Sequence, residues 1–271
     1  MKNESITKTF AVATALCVVC AIIVSLSDVM LKETQLRNKA LDKQVNILSA
    51  AGLVEPGAKV SAEEAASLFA NAETVVVDLT TGDVVDLDPA IVESDKTNLL
   101  ELAGEDDVAG IKTINKYAVV YVFKDEQGAI KTVVLPIVGQ GLWSTLHGFL
   151  ALNGDLKTVA HIVFYDHGET PGLGGEISNP VWTKNWEGKT AVDESGKPVI
   201  HVVKGSAENA EDPANAVDGI SGATLTGKGV TNTVTFWLDY KGYRPFLSRL
   251  RNGEPLASTS SETSPADANE N

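Results

Sequence analysis

Two regimes of hydrophobic patterning divide the chain. Between Lys8 and Asp28 it runs through TFAVATALCVVCAIIVSLS without a charge or a proline. About 20 apolar residues cross the roughly 30 Å hydrocarbon core of a bilayer, so residues 9–27 are expected to form a transmembrane helix. A cleaved secretory leader is the alternative, with Ser25-Leu26-Ser27 as its processing site, but such leaders carry only about 7–15 apolar residues. Retention is expected because the run is longer and a polar helix continues from it. Val29, Leu36, Leu41, Val45 and Leu48 recur between charged positions, which predicts a stalk helix over 28–50. Lysines and arginines lie on both sides of the apolar run, so charge alone does not orient it.

Beyond the Glu55-Pro56-Gly57 break the period changes. Ser61 and Glu64 form a capping box ahead of a short helix over 65–70. Residues 74–79 and 84–87 flank a Thr-Gly-Asp turn and predict a hairpin. YAVVYVFK (117–124) and AIKTVVL (129–135) predict a second one, followed by strands over 158–165 and 199–204. A helix is expected around 229–240. Short loops favour antiparallel pairing, and strands preceding a late helix give an α+β class. The predicted architecture is therefore a single N-terminal transmembrane helix, then a mainly antiparallel-sheet domain over 51–250 with flanking helices. Residues 251–271, rich in Ser, Thr, Pro and acids, are expected to be a disordered acidic tail.

Composition then excludes several functions. The formal net charge is −14, which disfavours nucleic acid. The two cysteines, Cys17 and Cys20, both fall in the apolar run, so the polar part carries no disulfide and no thiolate-held cluster. His147, His161, His167 and His201 lack metal-ligand spacing, and no Gly-x-Gly-x-x-Gly marks a dinucleotide site. No metal and no direct NADH site are expected.

The chemistry concentrates in three short stretches. Asp218-Gly-Ile-Ser221-Gly222-Ala223-Thr224-Leu-Thr226 reads as a turn feeding a helix. Ser221, Thr224 or Thr226 could simply cap that helix. Alternatively, small residues leave a threonine hydroxyl open, and the N–H groups of the helix start face an anion attached to it. Glu169-Thr170-Pro171-Gly172-Leu173-Gly174-Gly175-Glu176 is a glycine-rich loop. It is either a surface turn or a close backbone approach to a planar ring, with Leu173 as lid. In Gly139-Gln140-Gly141-Leu142-Trp143-Ser144 the indole of Trp143 is either a core aromatic or a cofactor contact.

These stretches resemble the family of FMN-binding domains. The first is similar to the flavinylation motif Asp-x-x-Ser/Thr-Gly-Ala-Thr, with Asp218, Ser221, Gly222, Ala223 and Thr224 filling it and Thr226 as a second choice of acceptor. The resemblance implies FMN esterified to Thr224 by a flavin transferase, a flavin-packing loop containing Thr170, Gly172, Leu173 and Gly174, and ring contacts from Gly141 and Trp143. With its anchor, its N-terminal region and the run ISNPVWT (177–183), the chain resembles the C subunit of sodium-translocating NADH:quinone reductases. The G subunit of Rnf electron-transport complexes is the related alternative. Membership implies an electron-carrying part of a multi-subunit membrane enzyme, beside a second subunit bearing covalent FMN. It also implies residues 1–8 in the cytoplasm and the domain on the periplasmic side of the inner membrane. A membrane-anchored, non-catalytic scaffold, with Ser-Gly-Ala-Thr as a mere helix cap, is the competing class.

Overall fold

The computed structural model of the chain describes residues 6–256. The first helix, α1 (Ile6–Ala50), is continuous through the apolar run and the polar stalk. At about 1.5 Å rise per residue it is roughly 68 Å long. Its most apolar window has a mean hydropathy of 2.6 and is wholly exposed, a length and composition suited to crossing a membrane. Cys17 and Cys20 are free thiols on that exposed surface. The chain divides into two compact units after Gln44. The second unit therefore begins inside α1, whose last turn buries Ile47, Leu48 and Ala50.

Ser61 caps α2 (Ala62–Phe69), its hydroxyl accepting from the Glu64 amide at 3.2 Å. The first hairpin is β1 (Ala72–Asp78) with β2 (Val84–Val85), and Asp88 caps the short α3 (Pro89–Ser94). A small antiparallel pair, β3 (Leu99–Glu101) and β4 (Thr113–Asn115), precedes β5 (Tyr117–Lys124) and β6 (Ile130–Gln140). Then come β7 (Thr145–Asn153) and β8 (Val159–Asp166). The main sheet has the order β2-β1-β5-β6-β7-β8, and every neighbour in it is antiparallel. The architecture is α+β, as the pattern predicts.

Several elements depart from the sequence reading, which does not predict α3, β3 or β4. Nor does it predict anything over 145–153, yet β7 is the fifth of the six strands, paired with β6 from Thr132↔Asn153 to Gln140↔Thr145. His147 and Gly148 interrupt its apolar pattern, and the glycine lets Phe164 of β8 pack against the backbone. The strand expected over 199–204 shrinks to β9 (His201–Val202), which pairs in parallel with β10 (Ala216–Val217) outside the main sheet. The late helix, α5 (Thr224–Leu238), starts before residue 229 and ends before 240.

Packing explains why α5 tolerates its glycines. Strand side chains alternate across the sheet, and Val120, Val122, Val133, Leu135 and Ile137 form the core on which Val230, Val234 and Trp237 of α5 pack. The Trp237 indole donates to the Val138 carbonyl at 2.7 Å, and the Tyr243 hydroxyl to that of Pro136 at 2.8 Å. A Cβ on Gly229 would stand 2.5 Å from the Gln140 carbonyl oxygen, so only glycine allows the helix to lie this close to β6. The ISNPVWT run contributes buried Ile177 and α4 (Pro180–Thr183), whose Trp182 meets fully buried Trp186 edge-on at 5.8 Å. Helix α6 (Arg244–Arg251) closes the domain. Residues 257–271 of the expected tail lie outside the described residues.

Gly229→Val is expected to destabilise the domain by about 1–3 kcal/mol, the usual cost of overpacking. Thermal unfolding followed by circular dichroism checks this, and an unchanged midpoint would mean that α5 and β6 can separate freely.

Candidate functional site

The three stretches picked out in the sequence meet at one end of the sheet. Gly141–Ser144 is the turn between β6 and β7, the glycine-rich loop follows β8, and Ser221–Thr224 leads into α5. The turn is closed by the Gly141 amide donating to the Ser144 carbonyl at 2.8 Å. In the loop, the Thr170 carbonyl accepts from the amides of Leu173 at 3.1 Å and Gly175 at 2.9 Å. Gly222 sits at φ +73, and a Cβ there would stand 2.9 Å from Leu173 Cδ2. Glycine both permits the left-handed turn and brings Leu173 onto it.

The start of α5 separates the two threonines. Ala223 is the N-cap residue and no side chain caps the helix. The first intrahelical bond runs from the Gly227 amide to the Ala223 carbonyl at 3.0 Å, leaving the leading N–H groups without helical partners. Neither Ser221, Thr224 nor Thr226 serves as the cap. Thr224 is exposed. Thr226 is 1% exposed, and its hydroxyl donates to Glu169 Oε2 at 2.6 Å.

Glu169 is the functional residue that sequence reasoning does not single out: it stands in the loop as one acid among many. It is 4% exposed. Its Oε1 accepts from the amides of Trp143 at 2.8 Å and Ser144 at 3.2 Å, while Oε2 takes the Thr226 hydroxyl. Burial by itself would raise its pKa. Hydrogen bonds from Thr226, Trp143, Ser144 and Leu142 outweigh that and hold the carboxyl below the usual glutamate value.

Other predicted residues take different positions. Asp218 turns away from the threonine: its carboxylate accepts from the Ala207 amide at 2.6 Å and its carbonyl from the Trp182 indole at 2.8 Å. It shapes the turn from behind. Trp143 is 70% exposed, so the core-aromatic reading does not hold. Leu142, Leu173 and Leu225 are exposed as well, giving the site an unusually apolar rim for a protein surface.

A cavity of about 790 Å³ adjoins Thr224, lined among others by Lys204, Gly205, Ile220, Ser221 and Lys228. That lies within the roughly 300–1,000 Å³ usual for small-molecule sites. Two lysines beside an uncapped helix start favour an anion locally in a chain of net charge −14. A phosphate on Thr224 fits beside these lysines, and the exposed Leu142, Trp143 and Leu173, which are not part of the cavity's lining, suit an apolar ring. Among the described residues, no acid, histidine or cysteine cluster is arranged to hold a metal.

The chain is similar to known proteins of one kind. The family description "FMN-binding domain" matches residues 141–239, a span that holds two of the three stretches whole and the other from Gly141 onward. The chain is 45% identical to the C subunit of the Na(+)-translocating NADH-quinone reductase of Yersinia pestis, over 93% of this chain and 95% of that protein. It is 46% identical to the corresponding C subunit of Pseudomonas aeruginosa, over 93% and 98%. The crystal structure of NqrC from Shewanella oneidensis superposes with a TM-score of 0.69 at 32% identity, covering 79% of this chain and 99% of that one.

Because the Glu169 pKa is lowered on folding, its stabilising contribution is complete above the ordinary glutamate value and disappears as pH falls through the folded value. Unfolding midpoints measured between about pH 7 and 3 should therefore converge for the wild type and Glu169→Gln at the acid end. A gap that widens on acidification would contradict the assignment.

Proposed function

The chain belongs to the family of C subunits of Na(+)-translocating NADH-quinone reductases, and on that premise we propose that it carries electrons within such an enzyme through an FMN esterified to Thr224. It contains an FMN-binding domain and is a subunit of the complex, not an independent NADH oxidase. FMN, when bound, supplies the redox chemistry; the protein positions it and tunes its potential.

The observation that carries the covalent reading is the contrast between the two threonines. Thr224 is exposed at the first position of an uncapped helix, whereas the Thr226 hydroxyl is buried and engaged by Glu169. On attachment, a bond forms between Thr224 Oγ and the flavin's phosphorus. The donor must be an activated flavin nucleotide: its phosphoanhydride bond at that phosphorus breaks, the other half leaves as a nucleoside monophosphate, and the hydroxyl proton passes to a base of the transferase. Such an ester would place its phosphate beside the N–H groups at the start of α5, with Lys204 and Lys228 nearby. Thr170, Gly172, Leu173 and Gly174 of the glycine-rich loop, and Gly141 and Trp143 of the β6–β7 turn, are the residues that would hold the ring. The tether keeps the cofactor's effective concentration high where a dissociating one would be lost.

The anchor belongs to the same proposal. Residues 9–27 span the membrane and 28–50 form the stalk, with the start of the chain on the cytoplasmic side and the domain on the periplasmic face of the inner membrane; Arg251, expected in the tail, instead ends α6 and donates to the Leu156 carbonyl. The partners are the other subunits of the complex, a second one with covalent FMN among them, and a flavin transferase for maturation. The scaffold alternative loses its support, since the helix it would cap has no side-chain cap.

Co-expression with a flavin transferase should give a fluorescent band in a denaturing gel. The band should vanish in Thr224→Ala and persist in Thr226→Ala; fluorescence retained in Thr224→Ala would overturn the assignment. Deleting residues 1–27 should release the chain from carbonate-washed membranes, and its retention in the pellet would refute anchoring by this helix.

A further inference from the structure

Among the described residues, Asp78 and Glu169 are the buried carboxylates. They are held differently. Asp78 has an ion-pair partner, Lys116, at 3.2 Å. Glu169 forms no ion pair among the described residues and is held by backbone amides of the β6–β7 turn and by the Thr226 hydroxyl. Dipoles alone hold this charge, and they offset its burial without a counter-ion; a neutral side chain could accept the same amides. The space is also built for it. A Cβ on Gly141 would stand 2.6 Å from Glu169 Oε1, and one on Gly174 2.9 Å from Oε2. These glycines belong to the two loops that flank the site.

We infer that Glu169 is a positioning residue for the flavin: its carboxylate locks the Trp143–Ser144 turn and the first turn of α5 into one arrangement and places an uncompensated negative charge behind the cofactor site. The inference rests on the Thr224 reading and deepens it. The lock acts through Thr226, two residues beyond the acceptor, so it fixes where the Thr224 hydroxyl stands when a transferase closes on it. The charge acts afterwards. Reduction adds electrons to the site, and a nearby buried anion opposes that, so Glu169 lowers the potential of the seated flavin. A side chain with a purely structural role would not shift that potential in a defined direction.

The test uses the full chain in detergent, loaded by a flavin transferase, as wild type, Glu169→Gln and Thr226→Val. The initial loading rate, the midpoint potential of the bound flavin and the thermal unfolding midpoint are measured for each. Misplacing a reacting group by about 1 Å can cost up to roughly a hundredfold in rate, so Glu169→Gln should load roughly ten- to a hundredfold more slowly and carry a flavin of higher potential. Thr226→Val keeps the charge and loses one bond, so it should load more slowly while its potential rises less than that of Glu169→Gln. Loading rate and potential both equal to wild type in Glu169→Gln would overturn the inference. Should that variant not fold, wild-type loading in Thr226→Val would overturn it instead. If the wild type takes up no flavin, the Thr224 reading itself fails and this inference falls with it.

Discussion

The site is organised around a carboxylate buried where two loops meet the first turn of α5. Glu169 reaches from the glycine-rich loop to the amides of the β6–β7 turn and to the Thr226 hydroxyl in α5. The two loops expose their large apolar side chains rather than bury them, and surface connections are mobile unless something ties them. Hydrogen bonds to an ionised acceptor are about twice as strong as neutral ones. The loops are therefore held by polar bonds, while the sheet and helices beneath them are held by apolar packing. This division of labour keeps the surface above the site free for a ligand.

The scaffold makes the arrangement possible through close approach. β7 brings the turn and the loop after β8 to the same end of the sheet. Helix α5 reaches that end because Gly229 lets it ride directly on the β6 backbone, and Trp237 and Tyr243 pin the remainder to β6 carbonyls. The turn before α5 is braced from the other direction by Trp182 and by the Asp218 carboxylate. Asp218, first residue of the motif, thus contributes to the bend rather than to the surface presented above it.

Much of this is legible from residue order. Runs of β-branched and aromatic residues bounded by turn signals mark β1, β5, β6 and β8, and the capping box marks α2. The exceptions have physical causes. β7 escapes the pattern because His147 and Gly148 break its alternation, although pairing on both sides sustains the strand. The opening of α5 is hidden because glycine and β-branched threonine are poor helix formers, and packing against β6 overrides that preference. The sequence singles out the three stretches but not what joins them. An acid in a Pro-Gly loop reads as a solvated turn, and nothing in Glu169's neighbours along the chain reveals that its oxygens meet amides of the distant Trp143 and Ser144.

The uncapped beginning of α5 has a consequence of its own. A serine, threonine or aspartate at the N-cap contributes about 0.5–2 kcal/mol, and Ala223 forgoes it. The missing cap does not loosen the turn, because Thr226 within it is buried and tied to Glu169. What the missing cap leaves open is space: no side chain stands over the leading N–H groups or the exposed Thr224 hydroxyl, giving another protein's active site room that a capping side chain would occupy.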